Sequence, residues 1–197
     1  MTEVASLRPR KPRADALRNR ERVLEAATAV FSQGGTEAGL EAVARRAGVG
    51  IGTLYRHFPT REALYEAVYR REVDQLLDLA RQLAAAHRPA EALRRWMQAL
   101  VDFVATKKGM GAALALAAHK PPDLMAYSAA RLHEAIGMLL RPMIEAGEIR
   151  SDIGPEDLLI TVVGLCYLQD GPGWQSKVMR LLEVFMDGLR LRGAERR

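Results

Sequence analysis

The sequence is poor in thiols. Its one cysteine, Cys166, cannot form an intramolecular disulfide, so a reducing cytoplasm suits the chain. Histidines are also few, at positions 57, 87, 119 and 133, and none falls at a metal-ligand spacing such as HxxxH or CxxC. Cys166 lies in an apolar stretch where a buried thiol is inert. No glycine-rich loop follows a strand pattern, and the Asp and Glu residues fall at solvated helix positions. These absences argue against metal or nucleophilic catalysis, and no cofactor is expected. The longest apolar run, Leu158 to Leu168, is far short of the roughly 20 residues a membrane-spanning helix requires. The basic start (Arg8, Arg10, Lys11, Arg13) has no apolar stretch behind it, unlike a secretory signal. No membrane partner is expected. Only sustained period-two alternation would indicate a sheet, and none is found.

What is present points to a helical protein with a polyanion for a partner. Apolar residues make up 49% of the 197, enough for a core, and the net charge is +5. That charge is uneven. Residues 1–70 hold twelve Lys and Arg against eight Asp and Glu, whereas the remainder holds seventeen against sixteen. A surplus confined to the first third is the distribution expected of a small nucleic-acid-binding region.

Helical periodicity runs from about Asp15 to the end. Residues 1–14 read as a basic arm, with Pro9 and Pro12 opposing helix there. Val23, Leu24, Ala27, Val30 and Phe31 share one helix face that ends at Gly34-Gly35. Short helices are predicted over 40–46 and 51–57, then a long one capped by Thr60 and running to about Ala86. Five more are predicted at about 89–107, 109–119, 122–146, 155–169 and 173–192, punctuated by Pro and Gly. The reading is all-α, about nine helices, with a flexible arm (1–14), a three-helix helix-turn-helix domain (15–60) and a larger helical domain (61–197).

The two short helices are joined by Ala47-Gly48-Val49-Gly50, a turn of the length that sets a recognition helix in a major groove. Gly48 supplies a left-handed turn conformation, and Val49 and Leu54 hold the second helix to the core. Thr53, Tyr55, Arg56 and His57 then face outward, a set able to reach phosphates and base edges. Arg45, Gly50, Ile51 and Gly52 complete the candidate DNA face. Arg61 opens the following helix within reach of a phosphate.

The run from Val43 to Leu64 (VARRAGVGIGTLYRHFPTREAL) resembles the signature of the TetR family of bacterial transcriptional regulators. The resemblance covers about residues 16–68. It rests on Ala-Gly-Val, Gly-Thr-Leu-Tyr and the aromatic before Pro59, and it implies DNA contacts by Thr53, Tyr55, His57 and Arg61. Three positions depart from the pattern. Gly39 stands where a Thr usually caps the second helix, Thr36 where an aromatic is common, and Gly50-Ile51 replace a more polar pair. Ile51 is placed to meet a thymine methyl group. The resemblance further implies a cytoplasmic homodimer on a double-stranded, near-palindromic operator. It would be a repressor released by a small-molecule effector, apolar or amphipathic. A regulator without such an effector, constitutive or controlled by a protein partner, is the alternative.

Beyond residue 70 the signals are less specific. Phe103, Met110, Leu114, Met125, Tyr127, Met138 and Met143 are candidates for an apolar effector cavity, because methionine side chains adapt to irregular space. Leu158–Leu168 is apolar on nearly all sides and predicts a helix buried all round. With the last helix it suggests a two-fold four-helix interface, for which Leu159, Val163, Tyr167, Val178, Leu182 and Phe185 are the candidates.

Overall fold

The computed structural model describes residues 12–34, 39–109, 122–169 and 171–191. Eight α-helices make up the described residues: α1 (Pro12–Gly34), α2 (Leu40–Ala47), α3 (Ile51–His57), α4 (Arg61–Ala86), α5 (Pro89–Gly109), α6 (Pro122–Glu145), α7 (Pro155–Leu168) and α8 (Trp174–Leu189). The helix predicted over 109–119 lies outside them, apart from Gly109, which ends α5. The first helix begins earlier than the sequence suggested. Pro12 occupies the first helical position, where a missing N–H leaves no bond unmade, so it starts the helix instead of opposing it.

The chain divides into two compact units, residues 1–68 and 69–197. In the first, Val23, Leu24, Ala27 and Phe31 of α1 meet Val43, Ala44 and Ala47 of α2, Leu54 of α3, and Leu64 and Val68 from the first turns of α4. All are buried, and Phe31 stacks on Tyr65 at 4.1 Å. Two alanines on the inner side of α2 let its backbone approach α1 closely.

The second unit is a helical core centred on Trp96. Its indole N–H donates to the carbonyl of Leu76 at 2.8 Å, so the largest buried side chain also has its polar atom satisfied. Around it pack Leu77, Leu93, Leu100, Ile136, Leu139 and Leu140. Gly147, with φ of 68°, terminates α6. The chain then pairs with the end of α8, Arg150 N–H donating to Leu189 O and Leu191 N–H to Glu148 O. The helix α7 starts as Gly154-Pro155-Glu156-Asp157 suggests, with the Asp157 carboxylate accepting from Gly154 N–H at 2.8 Å.

That helix is not buried all round. Leu158, Val162 and Cys166 face the core, but Ile160 is 64% exposed, Leu168 79% and Tyr167 49%. One chain has neighbours for only one side of the helix, so an apolar face is left at the surface.

Candidate nucleic-acid interface

The turn between α2 and α3 is built by Gly48. Its φ of 63° and ψ of 38° lie in the left-handed region, and its N–H bonds back to the end of α2. Val49 N–H donates to Ala44 O at 3.0 Å, closing the helix end. From α1, Arg22 reaches across to the Gly48 carbonyl at 3.4 Å. The glycines flanking this turn carry no side-chain cap. Gly39 opens α2 and Gly50 opens α3, each in extended conformation. Neither supplies a hydroxyl to a helix N-terminus, which leaves N–H groups there for other acceptors.

Leu54 anchors α3, fully buried beneath it. On the other side Tyr55 is 45% exposed and Ile51 39%, Arg56 is exposed, and Thr53 and His57 are half-buried. Gly50 and Gly52 are exposed, and a Cβ on either would meet nothing within 4 Å. Arg45 and Arg46 extend from the end of α2. Among the described residues neither they nor Arg56 pairs with a carboxylate, so three guanidinium groups beside one short helix keep their charge for an outside partner.

The helix after α3 is set by Pro59 and Thr60. Phe58 is extended before the proline, and the Thr60 hydroxyl accepts from Ala63 N–H at 3.1 Å. The same hydroxyl and backbone amide bonding hold the Glu62 carboxyl below its ordinary range, with the amide the larger influence. Arg61 is half-buried. Its guanidinium lies over Tyr65 at 5.5 Å and Phe31 at 5.8 Å and donates to the Tyr65 hydroxyl at 3.2 Å. Arg20 covers the Phe58 ring at 5.5 Å.

In the second unit a cavity of about 210 Å³ lies between α5, α6 and α7. Phe103 and Met125 line it, as the sequence suggested, together with Leu100, Val104, Leu132 and Tyr69. Leu159, Val163 and Tyr167, read from the sequence as interface positions, line it too. The other cavity candidates lie elsewhere. Tyr127 donates to Asp74 and sits under Arg70, 4.6 Å away, and Arg131. Met143 is buried in the core and Met138 packs against it. Met110 and Leu114 fall outside the described residues. Among the remaining interface candidates, Val178 and Leu182 are fully buried within the unit and Phe185 is half-buried. Leu181 and Val184, 44% and 70% exposed, are the apolar residues that α8 presents outward.

Sequence reading missed eight of the residues at this cavity, among them Tyr69, Leu100, Lys107 and Leu132. The signal was the i, i+3, i+4, i+7 spacing of Leu100, Phe103, Val104 and Lys107, and of Met125, Ser128, Ala129 and Leu132. Each set is one helix face, whereas methionine content alone marks core and cavity alike. Cys166 is buried, and burial pushes its thiol up to about 11 against the opposing effect of Lys108.

Similarity to known proteins follows the same division. Residues 23–68 match the family described as bacterial regulatory proteins, tetR family, and residues 88–191 match the C-terminal domain of SbtR-like transcriptional regulators. The chain is 42% identical over 78 residues to the HTH-type transcriptional repressor KstR of Mycolicibacterium smegmatis, covering 39% of this chain and 38% of KstR. To the HTH-type transcriptional activator FasR of the same organism it is 39% identical over 87 residues, 43% of this chain and 40% of FasR. It therefore spans well under two thirds of these curated relatives. The crystal structure of the TetR transcriptional regulator SCO0520 from Streptomyces coelicolor is similar over far more. There the identity is 43% and the TM-score 0.76, covering 87% of this chain and 98% of the other.

Proposed function

The chain belongs to the TetR family of bacterial transcriptional regulators, DNA-binding proteins and not enzymes, and from that premise we propose that it is a cytoplasmic homodimeric repressor released by a small-molecule effector. In this reading α3 enters the major groove. Thr53, Tyr55, Arg56 and His57 meet base edges and phosphates, Ile51 meets a thymine methyl, and Arg45 and Arg46 neutralise neighbouring phosphates. Gly50 and Gly52 let the backbone come close. Arg61, engaged with Tyr65 and Phe31, holds the start of α4 and places its positive charge near a phosphate. The observation that carries the DNA assignment is the buried Leu54 beneath α3, with exposed Tyr55 and Arg56 turned away from it and the arginines without carboxylate partners.

A dimer follows from the apolar faces. Ile160 and Leu168 on α7, with Leu181 and Val184 on α8, are exposed large apolar side chains on two neighbouring helices, and a second copy would cover them. The interface assigned from the sequence thereby moves from buried Val178 and Leu182 to their outward neighbours. Two DNA heads on one two-fold axis suit a near-palindromic operator. The cavity between α5, α6 and α7 is the effector site, which favours ligand control over a constitutive regulator. An effector acts by preferring the conformation that does not bind DNA, and a preference of a few kcal/mol suffices.

The test is fluorescence anisotropy of the protein on DNA from upstream of its own gene, over a salt series. Tight binding, steeply weakened by salt and lost in Tyr55→Ala, is expected. Tyr55→Ala binding as well as the parent would remove α3 from the DNA face. Binding no tighter than to random DNA would remove autoregulation and send the search for the operator across the genome.

A further inference from the structure

The cavity between α5, α6 and α7 is not uniformly greasy. Leu100, Val104 and Leu132 are buried at its floor, while Met125, Ile160 and Tyr167 are exposed at its mouth. Among the described residues its lining includes one charged residue, Lys107, and no carboxylate. Lys107 is half-buried, and among the described residues no Asp or Glu pairs with it. Its Nζ donates to the Tyr69 hydroxyl at 3.2 Å and lies 4.9 Å from the centre of that ring.

Its neighbour shows how an ordinary lysine at this helix end behaves. Lys108 donates to the carbonyls of Cys166 at 3.1 Å and Gln169 at 2.6 Å, and lies over the Trp174 ring at 4.9 Å. It completes the C-terminus of α7, where exposed carbonyls and the helix dipole both favour a cation. The last turn of α5 explains the presence of two lysines there. It does not explain why one of them turns to a tyrosine on the wall of an apolar cavity.

A half-buried ammonium without a carboxylate is costly to hold away from water, and an anion entering the cavity relieves that cost. The hydroxyl completes the site. Tyr69 already accepts from Lys107, so its own proton is left to donate, and among the described residues it has no acceptor. One cation and one O–H donor side by side form a receptor for a carboxylate, with apolar floor beyond it for a chain.

We propose that the cavity takes an amphipathic carboxylate, a medium-chain acid, its head group held by Lys107 and Tyr69 and its tail by Leu100, Val104 and Leu132. This assignment rests on the cavity being the effector site, and the experiment separates the two claims.

Binding of octanoate and octanol to the intact protein is measured by calorimetry, for the parent, Lys107→Met, Lys107→Arg and Ala129→Phe, which narrows the cavity with little demand on the core. Octanoate is expected to bind the parent. It should weaken about tenfold or more in Lys107→Met, the effect of losing one charge-assisted pair, and be retained in Lys107→Arg. Octanol should bind more weakly and be unaffected by Lys107→Met. Both should be lost in Ala129→Phe. Equal binding of acid and alcohol, with Lys107→Met silent and Ala129→Phe still blocking both, would overturn the head-group assignment and leave the cavity intact as a binding site. Octanoate binding that survives Ala129→Phe would overturn both claims. No binding of octanoate to the folded parent would overturn the proposal. Octanol binding that Ala129→Phe abolishes would then keep the cavity as a binding site, and no binding of either probe would overturn both claims.

Discussion

Single side chains on α3 divide sharply between anchoring and presentation. Leu54 has no exposed surface, whereas Tyr55 beside it is 45% exposed, because neighbours on a helix point about 100° apart. Tyr55→Ala should therefore lose operator affinity while leaving the melting temperature within about a degree or two, since surface changes seldom move stability by more than about 0.5 kcal/mol. Arg56→Gln should weaken binding to all DNA and reduce the salt slope by about one, the signature of a lost phosphate contact. An unchanged slope would place Arg56 away from the backbone. Cys166 makes a different kind of prediction. Its folded-state pKa of about 11 lies above the ordinary 9.0. Below about pH 9 the thiol is protonated in folded and unfolded chains alike, and its contribution is fully present. As pH rises from 9 towards 11 the unfolded thiol ionises first, so that stability is progressively lost. Denaturant titrations of the parent and Cys166→Ala between pH 8 and 10.5 should diverge, the parent falling faster. Parallel curves would refute the burial effect.

At the scale of elements, the turn and the caps decide whether α3 stands where it does. Gly48 is the one place in the first unit where a positive φ is required among the described residues. An added Cβ would also meet Arg22 Nη2 at 2.6 Å, a flexible end that can move. Gly48→Ala should cost about 1–2 kcal/mol from the left-handed backbone alone, read as a lower denaturation midpoint with an unchanged slope. Thr60→Ala should cost about 1 kcal/mol by releasing the Ala63 N–H at the start of α4. A change below about 0.3 kcal/mol in thermal or chemical denaturation would show that water caps that helix equally well. The short helices depend on these devices more than the long ones do, since seven or eight residues are too few to be stable by propensity.

For the whole molecule the decisive question is what covers α7 and α8. The outward apolar residues of α7 lie on an element that also walls the cavity, as Ile160 and Tyr167 do. A dimer formed there would place the cavity and the shared interface on the same helix. Ile160→Glu combined with Val184→Lys should convert the protein to monomer in sedimentation velocity while α-helical circular dichroism persists. The variant should also lose most operator affinity, because one head reads only a half-site. A dimer that survives both changes would move the interface to another face.

Much of this protein was legible before folding was considered. Helix starts and stops were read from local chemistry: Gly48 at a left-handed turn, Thr60 and Asp157 at helix N-termini, and the 3.6-residue spacing of Val23, Leu24, Ala27 and Phe31. These signals act within one or two turns, so the residues that make them are adjacent in the chain. The same reasoning erred at Pro12, where position within the first turn decides whether proline breaks a helix or begins one. Apolar content along α7 says that each face needs a partner but not that the same chain supplies it, and within one chain Ile160 and Leu168 stay exposed. Which methionines fill core and which border space was decided only by tertiary structure. Met125 lines the cavity and Met143 does not, although the two are chemically identical, because the gap between α5, α6 and α7 is set by how three helices distant in sequence pack. Lys107 and Tyr69, 38 residues apart, meet for the same reason. Spacing along one helix cannot report a juxtaposition made between two.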